Sequence, residues 1–245
     1  MLAIHGLTEH GRRWETLATK HLPDISIAAP DLIGHGRSSW AAPWSLDANV
    51  TALADLLVRE ATRPVMVVGH SFGAAVALNL AAARPDLVAS LVLLDPAVGL
   101  DGERVADLAD GVLASPYYAD QDEARADKRR WSWAELDPAE LDAEIEEHLV
   151  ELPDGRFGWR ISIPAMVSYW SEMAREFTLP HKGIRTRLVR ALRTDPPYVT
   201  DELIAGLRER LGPRFALLEF DCGHMVAEAR PAETADVIRA LLAQT

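Results

Sequence analysis

The segment Gly69-His70-Ser71-Phe72-Gly73, of pattern G-x-S-x-G, constrains the fold of this chain more than any other. It follows the apolar run Pro64-Val65-Met66-Val67-Val68 and opens the helical run Ala74-Ala75-Val76-Ala77-Leu78-Asn79-Leu80. A strand turned straight into a helix leaves little room for side chains at the turn. Gly69 and Gly73, two residues either side of Ser71, relieve that crowding. The Ser71 hydroxyl is then held out at the end of a sheet. The Phe72 amide enters the same space from the first helical turn, where backbone N–H groups lack partners. Short Gly/Ser patterns recur by chance, and a turn with an incidental serine is the plain alternative. The β-branched strand before it and the Ala-rich helix after it weigh against that reading.

The rest of the chain repeats the alternation. Leu2-Ala3-Ile4, Ile25 to Ala29, Val65 to Val68, Val88 to Leu94, Leu188 to Leu192 and Ala216 to Phe220 read as buried strands. Arg12 to His21, Leu46 to Ala61, Phe72 to Ala83, Asp201 to Leu211 and Ala232 to Ala243 read as helices. Alternating strands and helices build a parallel sheet covered on both faces, so the fold class is α/β. From about Val98 to Lys182 the rhythm breaks. This stretch holds 19 Asp/Glu against 9 Lys/Arg, whereas the remainder holds 18 against 16. It offers no convincing strand, but Pro138 to Leu149 places Leu141, Ile145 and Leu149 on one helical face. It is also aromatic, with Tyr117, Tyr118, Trp131, Trp133, Phe157, Trp159, Tyr169 and Trp170. The expected organisation is a core over 1–97 and 183–245 with a helical cap inserted over 98–182. Each aromatic is more simply read as packing the cap onto the core, while the group suggests an apolar substrate chamber.

At 245 residues the chain is long enough for one domain with a large core. A single cysteine, Cys222, excludes an internal disulfide and suits a reducing, cytoplasmic compartment. No membrane-length apolar run and no basic leader are seen at Met1-Leu2-Ala3-Ile4. A net charge of −12 argues against nucleic acid and anionic membrane surfaces as partners. There is no H-E-x-x-H, no cysteine pair and no G-x-G-x-x-G after a strand, so neither a metal nor a dinucleotide cofactor is expected.

A serine hydroxyl is a poor nucleophile unless a base takes its proton and a third group orients the base. Of eight histidines, His224 is the best base, because Asp221-Cys222-Gly223-His224 follows a strand and precedes the last helix. His5 lies in Ile4-His5-Gly6-Leu7, where a second backbone N–H can complete an oxyanion hole with Phe72. His10 and His35 fall on loops at the same end, His70 points away from the hydroxyl, and His21, His148 and His181 read as surface. Two aspartates compete for the acid. Asp195 follows the Arg187 to Leu192 strand and Asp95 the Leu91 to Leu94 strand, and each precedes a proline. Acid-then-histidine order and strand-end placement favour Asp195.

These blocks together, with Trp14, Pro30-Asp31-Leu32-Ile33-Gly34-His35-Gly36-Arg37-Ser38 and Cys222-Gly223-His224-Met225, resemble the α/β-hydrolase superfamily over nearly the whole chain, and its actinobacterial serine esterases and lipases in overall wording. The resemblance implies Ser71 as nucleophile, Asp195 as acid, His224 as base, the Leu7 and Phe72 amides as oxyanion donors, and a helical cap after Leu94. It also implies two strands ahead of Leu2, which this sequence lacks. The Ile25–Ala29 strand is then an exposed edge that invites pairing with a second copy.

The function expected is hydrolysis of small carboxylic esters with apolar acyl groups through an acyl-enzyme, with activity falling as pH drops through about 6–7. Alternatives are a thioesterase or a C–C bond hydrolase using the same triad, or a non-catalytic ligand-binding protein on this fold.

Overall fold

In the computed structural model, which describes residues 1–130, 133 and 136–244, the apolar runs become strands of one parallel sheet. Along the chain, β1 (Leu2–Ile4) leads through short helical turns at Gly11–Trp14 and Leu17–His21 to α1 (Leu46–Glu60), β2 (Val65–His70), α2 (Phe72–Ala83) and β3 (Val88–Leu94). There follow α3 (Gly102–Ala114), α4 (Gln121–Arg130), α5 (Pro138–His148), the hairpin β4 (Leu149–Glu151) and β5 (Phe157–Trp159), and α6 (Ile163–Met173). The chain then returns through β6 (Arg185–Ala191), α7 (Asp201–Leu211), β7 (Phe215–Phe220), α8 (Val226–Ala229) and α9 (Pro231–Leu242).

The sheet order is β1-β2-β3-β6-β7, and every neighbouring pair is parallel. Side chains of a strand alternate between faces. Val67, Leu91 and Leu93 therefore join a core with residues of α1, α2, α6 and α7. Met66, Val68, Val92 and Leu94 join a second core with Trp14, Leu17, Leu22 and the α9 residues Ile238 and Leu241. Helix α1 starts where Ser45 Oγ accepts from Ala48 N at 3.1 Å, satisfying one of the free first-turn amides. Helix α2 is buried along nearly its whole length because alanine lets it lie tightly between the sheet and α1.

Three expectations change. Residues 25–29 do not form a strand, but make one bridge, with Ala3 N donating to Ala28 O and Ala28 N to Met1 O, both at 2.9 Å. Pro30 has no N–H to continue a ladder, and Asp31 turns aside to accept from Gly11 N and Arg37 N. Residues 12–21 are helical throughout but not as a regular α-helix, tightening at Gly11–Trp14 and widening at Leu17–His21. The stretch between β3 and β6 does contain strands, the β4–β5 hairpin, closed where Leu152 N donates to Arg156 O and Gly155 takes φ +84°. Three-residue strands are too short to show a period in sequence. No helix among the described residues is long and apolar enough to cross a membrane.

Candidate active site

Ser71 sits between β2 and α2 with φ +53°, a conformation that costs a non-glycine residue on the order of 1–3 kcal/mol. The glycines around it are sterically required. A Cβ on Gly73 would lie 2.3 Å from Ile4 O and 2.5 Å from His5 O, and one on Gly69 would lie 2.5 Å from Gly73 O. The turn is fastened to β3, since Ser71 N donates to Leu94 O at 3.0 Å and Ala97 N donates to Ser71 O at 3.3 Å.

The next strand ends the same way. The register pairs His70 with Leu94, so Ser71 and Asp95 each lie one residue past adjacent strand ends. Asp95 is the other non-glycine residue with positive φ among the described residues, +42°. It is 1% exposed. Its Oδ1 accepts from Ala191 N at 3.0 Å and its Oδ2 lies 2.6 Å from Nδ1 of His224. A carboxylate at Nδ1 places the ring proton there and leaves Nε2 with its lone pair, as a general base requires.

The structure thus brings Asp95, and not the Asp195 preferred from the sequence, to His224. Beyond β6 the chain keeps pairing with the β7 side, through Leu192 N to Phe220 O and Arg193 N to Cys222 O, and Asp195 emerges exposed in the following turn. Both aspartates satisfy the chain order and follow a strand. Only Asp95 is on the strand beside the serine, and that adjacency is a property of the sheet order. A residue missed in sequence also touches His224. The Tyr198 ring packs 4.3 Å from the His224 ring, under Arg104 of α3, which donates to the Pro196 and Pro197 carbonyls.

Burial lowers the pKa of His224; the Asp95 hydrogen bond opposes this, and the charge on His70 adds to the lowering. The expected loss of activity through pH 6–7 therefore moves below the ordinary histidine value.

Phe72 begins α2 directly after the serine, and Leu7 lies in the loop after β1, which pairs with β2 at Ile4 and Gly69. The Leu7 carbonyl lies 2.6 Å from His35 Nε2. His5 is a strut: Nδ1 donates to Gly6 O at 2.7 Å and Nε2 accepts from Leu32 N at 2.9 Å. Burial, with His35 beside it, lowers His5 to about 3, so it stays neutral. His148 is buried rather than on the surface, stacked 4.3 Å from His10.

The aromatics of the inserted stretch divide. Trp133 lies under Arg13 and so packs the inserted stretch against the β1 side of the chain, while Lys128 of α4 lies over Trp133 and Trp159 within the stretch itself. Tyr169 of α6 instead meets Phe72 of the turn, ring to ring at 4.6 Å. Its hydroxyl donates to Ile33 O and accepts from Asn49 Nδ2, which holds it in place. Trp131 lies outside the described residues. A cleft of about 280 Å³ between residues 13–21 and 227–231 includes neither Ser71 nor His224 in its walls. Among the described residues no group of His, Cys, Asp and Glu is arranged to hold a metal ion.

Sequence and structure comparisons identify the family and the fold. The alpha/beta hydrolase family profile matches residues 1–237, and the chain belongs to that family. It is an α/β hydrolase of the lipase and esterase type: lipase LipV of Mycobacterium tuberculosis is 64% identical over 242 residues, which span 99% of this chain and 92% of that one. Among solved structures, an E-2-(acetamidomethylene)succinate hydrolase superposes with a TM-score of 0.83 at 22% identity, covering 99% of this chain and 90% of its own. An esterase of M. tuberculosis superposes with a TM-score of 0.77 at 23% identity, covering 98% and 84%. At such identities these two bear on the fold alone.

Proposed function

We propose that the protein hydrolyses carboxylic esters through an acyl-enzyme on Ser71, with His224 as base and Asp95 as the acid that orients it. The observation that carries this is the 2.6 Å contact of His224 Nδ1 with Asp95 Oδ2 beside a serine held at φ +53°. His224 Nε2 takes the hydroxyl proton as Ser71 attacks the ester carbonyl, then returns it to the leaving alcohol. Asp95 stabilises the imidazolium formed in between. The Phe72 and Leu7 amides bind the developing oxyanion, each worth about 10²–10³ in rate by analogy with mutated oxyanion donors. Water repeats the cycle and frees the acid. The name of the LipV relative supports a lipid-like ester.

The test is hydrolysis of p-nitrophenyl butyrate by wild type and Ser71→Ala, with mass spectrometry after a fluorophosphonate probe. A serine hydrolase turns over the ester and gains one phosphonyl group on Ser71. A folded wild type with neither rate nor label refutes the assignment. A rate series over acyl length then separates esterase from lipase: a maximum at two to four carbons means the former, and turnover of long emulsified chains the latter.

A further inference from the structure

We propose that Glu9 and His70 are positioning residues, a buried pair that holds the oxyanion loop, the nucleophile and the base loop in register. The proposal rests on the assignment of Ser71, Asp95 and His224 above. Glu9 spans two elements: its Oε2 accepts from Gly6 N at 2.9 Å and its Oε1 lies 2.8 Å from His70 Nδ1. The other ring nitrogen of His70, Nε2, donates to the His224 carbonyl at 2.8 Å. Both side chains are almost fully buried. Gly6 makes the room, since a Cβ there would lie 2.8 Å from Glu9 Oε1 and 3.1 Å from His70 Nδ1.

The chain of contacts therefore touches each working part. Gly6 precedes the oxyanion donor Leu7, His70 precedes Ser71, and the last contact is to the base residue itself. A reacting constellation needs its groups held within about 0.5 Å, which rigid supporting side chains provide. Nε2 donates to the carbonyl, while Nδ1 meets the carboxylate as a close ion pair without hydrogen-bond alignment, so it is the charge of Glu9 that favours the protonated ring. Burial alone would lower His70, but Glu9, helped by Glu228, outweighs it and raises the ring to about 9. Burial likewise works against ionised Glu9, which His70 and Arg13 nevertheless hold well below the usual carboxylate range. The groups facing His70 are Glu9 from the β1 loop, Glu228 from α8 and the His224 ring at 4.7 Å. Arg13 stands behind both carboxylates, 2.6 Å from Glu228.

A pair that served only stability would leave the chemistry of folded variants unchanged. A positioning pair would not, because the charge on His70 also biases His224 toward its neutral form. His70→Gln retains a donor for the His224 carbonyl without the charge, and His70→Ala retains neither. Glu9→Gln retains an acceptor for Gly6 N but removes the counter-charge. The full chain is assayed with p-nitrophenyl butyrate from pH 5 to 10, with folding followed by circular dichroism and Ser71→Ala as the floor. His70→Ala should lose about 10- to 100-fold in kcat with KM nearly unchanged. His70→Gln should recover most of that loss, and in both variants the acid limb of kcat/KM should move to higher pH. In wild type, kcat should fall as pH rises through about 9, where the His70 ring loses its proton. Glu9→Gln should bring that fall to lower pH. If His70→Ala does not fold, the two glutamine variants and the wild-type titration, followed by NMR of the His70 ring, decide the matter. Folded variants with wild-type kcat and an unmoved acid limb overturn the proposal, as does wild-type kcat that stays flat while His70 titrates. A wild type no faster than Ser71→Ala overturns the hydrolase assignment and this proposal with it.

Discussion

Exchanging each competing aspartate for asparagine tests the site most directly. In Asp95→Asn the side-chain carbonyl can still accept from Ala191 N, so the backbone contact at 3.0 Å survives and the fold should hold. The amide NH2 then faces His224 Nδ1 across what was a 2.6 Å contact. Two donors cannot share that space, so the ring takes the tautomer with its proton on Nε2 and can no longer accept the serine proton. Loss of the acid from comparable triads lowers kcat by about 10⁴, chiefly through this tautomer effect. Asp195 is exposed in a surface turn, so Asp195→Asn should stay within about twofold of wild type, as surface changes away from such features do. The assay is kcat and KM on p-nitrophenyl butyrate for both variants, with melting temperatures as a folding control. A loss of about 10³ or more in Asp195→Asn, with Asp95→Asn near wild type, would refute the assignment.

Further outcomes follow from the same geometry. The neutral form of His224 persists to lower pH than in a free histidine, so the acid limb of kcat/KM should lie below 6.5; a pH–rate profile with its limb at or above that value contradicts it. Ser71→Gly should abolish turnover yet melt higher than Ser71→Ala, because glycine relieves the φ +53° strain; about 1 kcal/mol corresponds to roughly 2–4 °C in a domain of this size. Gly73→Ala should destabilise by roughly 1–3 kcal/mol or more in urea unfolding, since its methyl would meet two backbone oxygens that cannot turn away. His5 is neutral in the fold down to about 3, against 6.5 when unfolded. Its contribution is therefore fully present above 6.5 and is lost as pH falls toward 3, on the order of 4–5 kcal/mol. Urea midpoints measured between pH 7 and 4 should fall less steeply in His5→Asn than in wild type.

The elements that were legible carry a local signature. Phe72–Ala83, Asp201–Leu211 and Val88–Leu94 are two helices and a strand with the bounds their patterns suggest, because period and flanking turn residues act within a few positions of the chain. Ser71 and His224, the proposed nucleophile and base, stand out in sequence for the same reason: each follows a strand and has a glycine close by. What failed depended on neighbours distant in sequence. Residues 25–29 have strand composition but make a single β-bridge, at Ala28. His148 looks like a surface residue on an acidic helix until His10 stacks on it from the core.

The choice between Asp95 and Asp195 shows most clearly where local information ends. Ser71 needs its glycines because a helix must start against Ile4 and His5, and any sequence with this turn declares that need in its own letters. Either aspartate could follow a strand and precede a proline. Which aspartate meets His224 is decided by which strand lies beside β2, and strand order is set by how helices of both cores pack across the whole sheet. The Glu9–His70 link has the same origin. Its partners are 61 and 154 residues apart along the chain and become neighbours when the β1 loop, the serine turn and the loop after β7 meet at one end of the sheet.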